Sequence, residues 1–222
     1  MSNEDGRPAG FVWDYDRAEI VVDGIVHVVG VILGLVGAAA LIASALRSSG
    51  IGDMSAAGVY AVGLVAMLGM SATYNLWPVS RMKWVLRRFD HSAIYLLIAA
   101  TYTPFIVQLK DGALAFGLLA GVWATALIGI ALKLALPGRF DRLAIALYLL
   151  LGWSGVMMYQ PVSMVLPASA LWLLGAGGLF YTCGVIFHVW DSLRFHNAIW
   201  HGFVVLAAGC HYTAVLAGLG IV

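Results

Sequence analysis

Seven continuously apolar runs, each close to twenty residues, divide this chain, with short polar stretches between them. They predict membrane-crossing helices at 21–46, 54–77, 92–109, 113–132, 142–160, 168–190 and 198–221. Roughly 20 residues at a rise of 1.5 Å carry a helix across about 30 Å of hydrocarbon. The fifth run is short, from Leu143 to Tyr159, and Pro161 and Pro167 punctuate the loop after it. The expected fold is an all-α integral membrane protein, a seven-transmembrane-helix bundle. Residues 1–18 form a polar cytoplasmic tail and residues 19–222 the membrane domain.

Composition removes the soluble alternative. Apolar residues make up 62% of the chain and charged residues 10%, whereas a soluble domain carries roughly 25% charged residues. A net charge of +1, with no basic stripe along a helix, excludes nucleic acid as a partner. Cys183 and Cys210 both fall inside apolar runs, form no C-x-x-C pair and read as packing residues. The stretch from Met1 to Glu19 carries Glu4, Asp5, Arg7, Asp14, Asp16, Arg17 and Glu19. It lacks the basic start, short apolar core and small-residue cleavage site of a secretory signal, so the first apolar run is expected to be retained.

Orientation follows from the basic residues. Arg7, Arg17, Arg81, Lys83, Arg87, Arg88, Lys133, Arg139, Arg142 and Arg194 fall on one side of the predicted topology, and only Arg47 and Lys110 on the other. This bias places the N-terminus in the cytoplasm and the C-terminus outside, opposite to a G-protein-coupled receptor. The expected location is the cell (inner) membrane, crossed several times. Trp77, Trp84, Tyr159 and Trp190 sit at span ends as interfacial anchors, while Gly30, Gly34 and Gly37 give the first span a surface for close helix approach. The chain shows no internal repeat of the inverted-transporter kind.

Polar residues gather at one predicted depth. Glu19, Asp23 and His27 recur every fourth residue at the cytoplasmic end of the first span. Ser71, Tyr74 and Asn75 close the second span on that side, Asp90 and His91 open the third, and Asn197 and His201 open the seventh. One such residue alone reads as a helix-end group complementing the dipole. Four helices delivering them together predict a polar cavity made of Glu19, Asp23, His27, Ser71, Asn75, Asp90, Asn197 and His201. His211, about 15 Å further along the seventh span than His201, reads as a separate interhelical histidine. His188 and His196 flank the preceding turn as interfacial residues.

Those same residues carry a family resemblance. The segments are E-I-V-V-D-G-I-V-H from Glu19 to His27, S-A-T-Y-N-L-W-P from Ser71 to Pro78, and F-D-H-S-A-I-Y-L-L-I-A-A-T-Y-T-P from Phe89 to Pro104. H-N-A-I-W-H-G-F from His196 to Phe203, followed by His211, completes the set. Over residues 15 to 220 the chain resembles the hemolysin III family, the bacterial branch of the progestin and adipoQ receptor family. The resemblance implies a seven-helix bundle with its N-terminus inside. In the receptor branch and the related alkaline ceramidases it also implies zinc near the cytoplasmic side, held by histidines of an S-x3-H and an H-x3-H motif, with an aspartate holding water. Those motifs fall on Ser71 to Asn75, Asp90, and Asn197 to His201. Two of the three histidine positions are Asn75 and Asn197; His201 alone keeps its imidazole, and His196 is turned about 100° away on the helix. Asparagine is a weak zinc ligand beside imidazole. The expectation is a metal-free hydrogen-bonded cluster with no cofactor; zinc, if bound, would use a rearranged set of His27, Asp90 and His201.

Three functions compete. The first is a non-enzymatic role in membrane-lipid homeostasis or sensing, with membrane lipids as partners and self-association left open. The second is a metal-dependent lipid-amide hydrolase, with Asp90 placing water and Ser71 near the oxyanion; Asn75 and Asn197 weaken it. The third is a pore-forming haemolysin causing cytolysis, which the resident-protein pattern of the spans disfavours. No catalytic residue is assigned.

Overall fold

The computed structural model describes residues 14–48, 50–136 and 141–221, so the expectations for Glu4, Asp5, Arg7, Arg139 and Val222 lie outside the described residues. Among those described, the chain is helical with no strand. The helices are α1 (Arg17–Ser48), α2 (Ile51–Leu76), α3 (Arg81–Ile106), α4 (Gly112–Ala135), α5 (Asp141–Trp153), α6 (Tyr159–Ser163), α7 (Ala168–His188) and α8 (His196–Gly218). A 3₁₀ turn, Ser154–Met158, joins α5 to α6.

Local chemistry sets several helix starts. Asp16 accepts the backbone N–H groups of Ala18 at 2.7 Å and Glu19 at 2.9 Å, and the Glu19 carboxylate accepts the Asp16 N–H at 2.9 Å. This reciprocal capping box fixes the first turn of α1. Ser80 caps α3 by accepting from Lys83 N, and Asp111 caps α4 by accepting from Ala113 N and Leu114 N.

Six segments among the described residues are long and apolar enough to cross a membrane: most of α1, α2, α4, residues 143–163, α7 and α8. The multi-pass membrane character is plain from their surfaces. α1 exposes Ile25, Ile32, Leu33 and Val36 while burying Asp23 and His27. That arrangement suits lipid outside and polar contacts within. α3 stands outside the six because Arg81, Lys83, Arg87, Arg88 and Asp90 crowd its first three turns. The apolar remainder, Ser92–Ile106, is only roughly 22 Å long. The predicted 92–109 run is therefore the second half of a helix that begins eleven residues earlier and carries the basic cluster on its own turns. The fifth span differs too: it is an interrupted segment, because α-helical hydrogen bonding gives way after Trp153 to a 3₁₀ turn before Pro161.

Each long helix packs on its sequence neighbour, as α1–α2, α2–α3, α3–α4 and α7–α8. α8 returns to α1 and reaches α3, and α5 leans on α3 and α7. Gly30 and Gly37 permit the closure of α1 on α8: a Cβ at Gly30 would stand 3.0 Å from Val205, and Tyr212 donates its hydroxyl to the Gly37 carbonyl oxygen at 2.9 Å. The core is built from small and aromatic residues including Ala57, Tyr60, Ala99, Ala126 and Ala214.

Candidate functional site

The closure of α1 on α8 brings Asp23 to the head of α8. Asp23 and His201 are buried at 7% and 8% exposure. Asp23 Oδ1 lies 2.6 Å from His201 Nδ1, with the imidazole N–H donating to the carboxylate. The other carboxylate oxygen accepts from Asn197 Nδ2 at 3.0 Å. Asn197 Nδ2 also donates to Asn75 Oδ1 at 3.3 Å, and Asn75 Nδ2 donates to the Ser71 carbonyl oxygen at 3.0 Å. A single chain of hydrogen bonds, buried at its Asp23–His201 end and half-buried beyond, thus ties α8 to α1 and α2. Asn75 uses its amide as donor and acceptor together, which a carboxylate could not do.

Asp90 joins from α3, where its carboxyl is hydrogen-bonded by Ser71 and lies close enough to His201 and Asp23 to interact with both electrostatically. His91 Nε2 stands 4.0 Å from Asp90 Oδ2. His27 lies one turn beyond Asp23 with its ring edge-on to His201, the centroids 4.2 Å apart. Its Nε2 is buried and has no hydrogen-bond partner. The group able to offer metal ligands is Asp23, His27 and His201, whose ligand atoms lie within 4.8 Å of one another. That differs from the set His27, Asp90 and His201 read from the sequence: Asp23 takes the carboxylate place, and Asp90 stands against Ser71.

Glu19 is near this group but committed elsewhere. One carboxylate oxygen closes the capping box, and the other accepts the Phe195 backbone N–H at 2.9 Å. Phe195 adopts a left-handed conformation, φ 62°, immediately before α8, so Glu19 braces a strained junction. Beside it Arg194 donates to Asp16 Oδ2 at 2.9 Å. The Glu19 backbone N–H, then Arg194 and Ala18, hold the Asp16 carboxyl below its ordinary range.

Two further residues belong to the site although the sequence did not single them out. Tyr15 stacks on the buried His196, with centroids 5.6 Å apart, and burial raises its hydroxyl to about 12, so it stays a neutral phenol at the mouth. A signal for it exists, since Tyr15, Glu19, Asp23 and His27 recur every fourth residue. Lys83, counted as a cytoplasmic loop charge, is 1% exposed. Its Nζ donates to the carbonyl oxygens of Tyr74, Asn75 and Trp77 at 2.8, 3.0 and 2.8 Å, closing the end of α2 beneath the site. His211 makes an interhelical contact, its Nε2 lying 3.3 Å from the Leu174 carbonyl oxygen on α7.

The cleft bounded by Tyr15, Glu19, Asp23, Asn75, Phe195 and Asn197 offers only about 10 Å³. That is room for about one water or one ion, far below a lipid headgroup. On the outer surface of α1 and α8 lies an apolar groove of about 410 Å³, walled by Ile25, Val26, Val29, Ile199, Phe203 and Leu206.

Comparison with known proteins finds relatives along most of the chain. The sequence profile described as Haemolysin-III related matches residues 17–212. The "Hemolysin-3 homolog" of Bacillus subtilis is 34% identical over 198 residues, covering 89% of this chain and 93% of that protein. "Hemolysin-3" of Bacillus cereus is 33% identical over 198 residues, covering 89% and 90%. The human "Monocyte to macrophage differentiation factor" is 31% identical over 163 residues, covering 71% and 67%. No solved structure matches the chain. The chain belongs to the hemolysin III family, within the progestin and adipoQ receptor family.

Proposed function

We propose that this protein resides in the inner cell membrane, crosses it seven times with its N-terminus in the cytoplasm and C-terminus outside, and serves membrane-lipid homeostasis as a lipid sensor. The bias of basic residues supports the orientation, and the charged first turns of α3 suit the cytoplasmic headgroup region. The observation that carries the sensing role is the pairing of α1 and α8. The same two helices hold the buried Asp23–His201 contact inside and wall the apolar groove outside. An acyl chain seated against Ile25, Val29 and Phe203 bears on the helices that the polar cluster locks. A cleft of about 10 Å³ suits a latch better than a headgroup pocket. Occupancy of the groove can shift the α1–α8 packing only by its differential affinity for the two arrangements.

A photoactivatable phospholipid added to the protein in membranes tests this. Adducts should concentrate on residues 25–29 and 199–206 above those on the exposed face of α4 around Phe116 and Leu127. Even labelling around the bundle would contradict a lipid site. Cells lacking the protein should also fail to restore their lipid composition after a membrane-fluidising challenge.

The ligand-capable group Asp23, His27 and His201 favours a second reading, a metal-dependent lipid-amide hydrolase. A bound metal would supply an activated water; Asp90, held by Ser71, is the group placed to accept a proton. Release of fatty acid from a short-chain ceramide by the purified protein distinguishes it. A lytic role, suggested by the relatives' names, sits poorly with the large apolar surfaces that α1 and α4 already expose.

A further inference from the structure

We propose that Asp23, His27 and His201 form a binding site for one divalent transition-metal ion of the zinc class, founded on α1 instead of the α2 and α8 histidine positions that are asparagine in this chain. The inference rests on the polar cluster of α1, α2, α3 and α8 but not on its role in lipid sensing.

The residues at those asparagine positions do not suit zinc: Asn75 and Asn197 present amides already spent on each other, on Ser71 and on Asp23. The α1 group does suit it. All three side chains are buried, at 7%, 6% and 8% exposure, and their ligand atoms lie within 4.8 Å of one another. Asp23 and His27 are four residues apart on one helix face, so a single helix supplies two ligands and α8 the third.

His27 gives the independent sign of a ligand. Its Nε2 is buried with no hydrogen-bond partner, and its ring packs edge-on with that of His201. Buried polar nitrogens are almost always satisfied, and a metal would satisfy this one. Tetrahedral coordination at about 2.0–2.1 Å sets neighbouring ligand atoms about 3.3 Å apart. The Asp23–His201 pair, at 2.6 Å, would open slightly to admit the ion, and His27 would close on it. Asn197 on the second oxygen of Asp23 is the outer hydrogen bond that orients a ligating carboxylate. Asp23 and the neighbouring Asp90 together offset the charge of a divalent ion. Two imidazoles with one carboxylate select zinc-like ions over magnesium or calcium.

The full chain, purified in detergent and stripped with a chelator, is titrated with Zn²⁺ against a chromophoric competitor, and with Co²⁺ as a spectroscopic probe. One equivalent should bind, with a tetrahedral cobalt spectrum and a raised thermal midpoint. Asp23→Asn preserves side-chain shape, and His27→Gln keeps a polar group in place; each should weaken binding at least tenfold. His211→Gln, which alters the separate interhelical histidine against Leu174 further along α8, should leave binding unchanged. No binding at one equivalent would overturn the site, as would binding indifferent to Asp23→Asn and His27→Gln or lost equally in His211→Gln. Lipid composition in cells carrying Asp23→Asn reads the sensing role separately. Weakened metal binding with normal lipid homeostasis supports the site and contradicts its part in sensing. Absent metal with disturbed lipids does the reverse.

Discussion

Asp23 holds three polar neighbours in register inside a membrane protein. Its carboxylate accepts from His201 and Asn197, and Asn197 passes the contact to Asn75. Truncation to alanine strands the imidazole and the amide in a buried place, at about 1–3 kcal/mol for each group left unsatisfied. Asp23→Ala should therefore lower the thermal midpoint in detergent clearly, and Asp23→Asn, which can still accept from one neighbour, by much less. Equal loss in the two variants would show that charge, and not hydrogen bonding, holds the cluster. Period-four spacing made Asp23 and His27 legible in the sequence as one face, and the i,i+4 pair Asn197 and His201 as another. Which carboxylate meets His201 was not legible, because that depends on how far α1 and α8 slide past each other. Glu19 shares the face of Asp23, yet the capping box and the Phe195 junction claim it.

At the scale of the element, the end of α2 depends on a lysine from the next helix. Lys83 satisfies three carbonyl oxygens that a helix terminus leaves without intrahelical partners, including that of Asn75. Lys83→Met keeps the length of the side chain and removes the ammonium donor. It should cost roughly 1–3 kcal/mol in unfolding and loosen Asn75, read as faster hydrogen exchange at residues 73–77. Unchanged exchange there would refute the capping role. Hydropathy could not reveal this, since a buried lysine and a cytoplasmic one count alike. The interruption after Trp153 was similarly half legible. Pro161 announced an interruption, but the brace comes from Tyr102 on α3, whose hydroxyl accepts the Gly155 N–H at 2.6 Å and lies 2.8 Å from the Gly152 carbonyl oxygen. Such a contact spans some fifty residues of sequence and leaves no local trace.

For the molecule as a whole, topology decides which face the cluster serves. Cysteine-accessibility labelling should place residue 87 on the cytoplasmic side and residue 222 outside; a cytoplasmic C-terminus would mean an even number of crossings and move the cluster's relation to the bilayer. If the polar cluster joining α1, α2, α3 and α8 is a functional unit and not a set of helix-end groups, its members and a helix-end acid elsewhere should differ in their effect on lipid composition. The most direct measurement is the lipid composition of cells in which the native chain is replaced by Asp90→Ala or by Asp53→Ala, followed through a membrane-fluidising challenge, with membrane levels of each variant matched. Asp90 is held by Ser71 within the cluster, whereas Asp53 lies in the first turn of α2 at the opposite end of that helix. Asp90→Ala should abolish the compensating change in lipid composition, and Asp53→Ala should leave it intact. Equal compensation by the two variants would contradict a functional cluster.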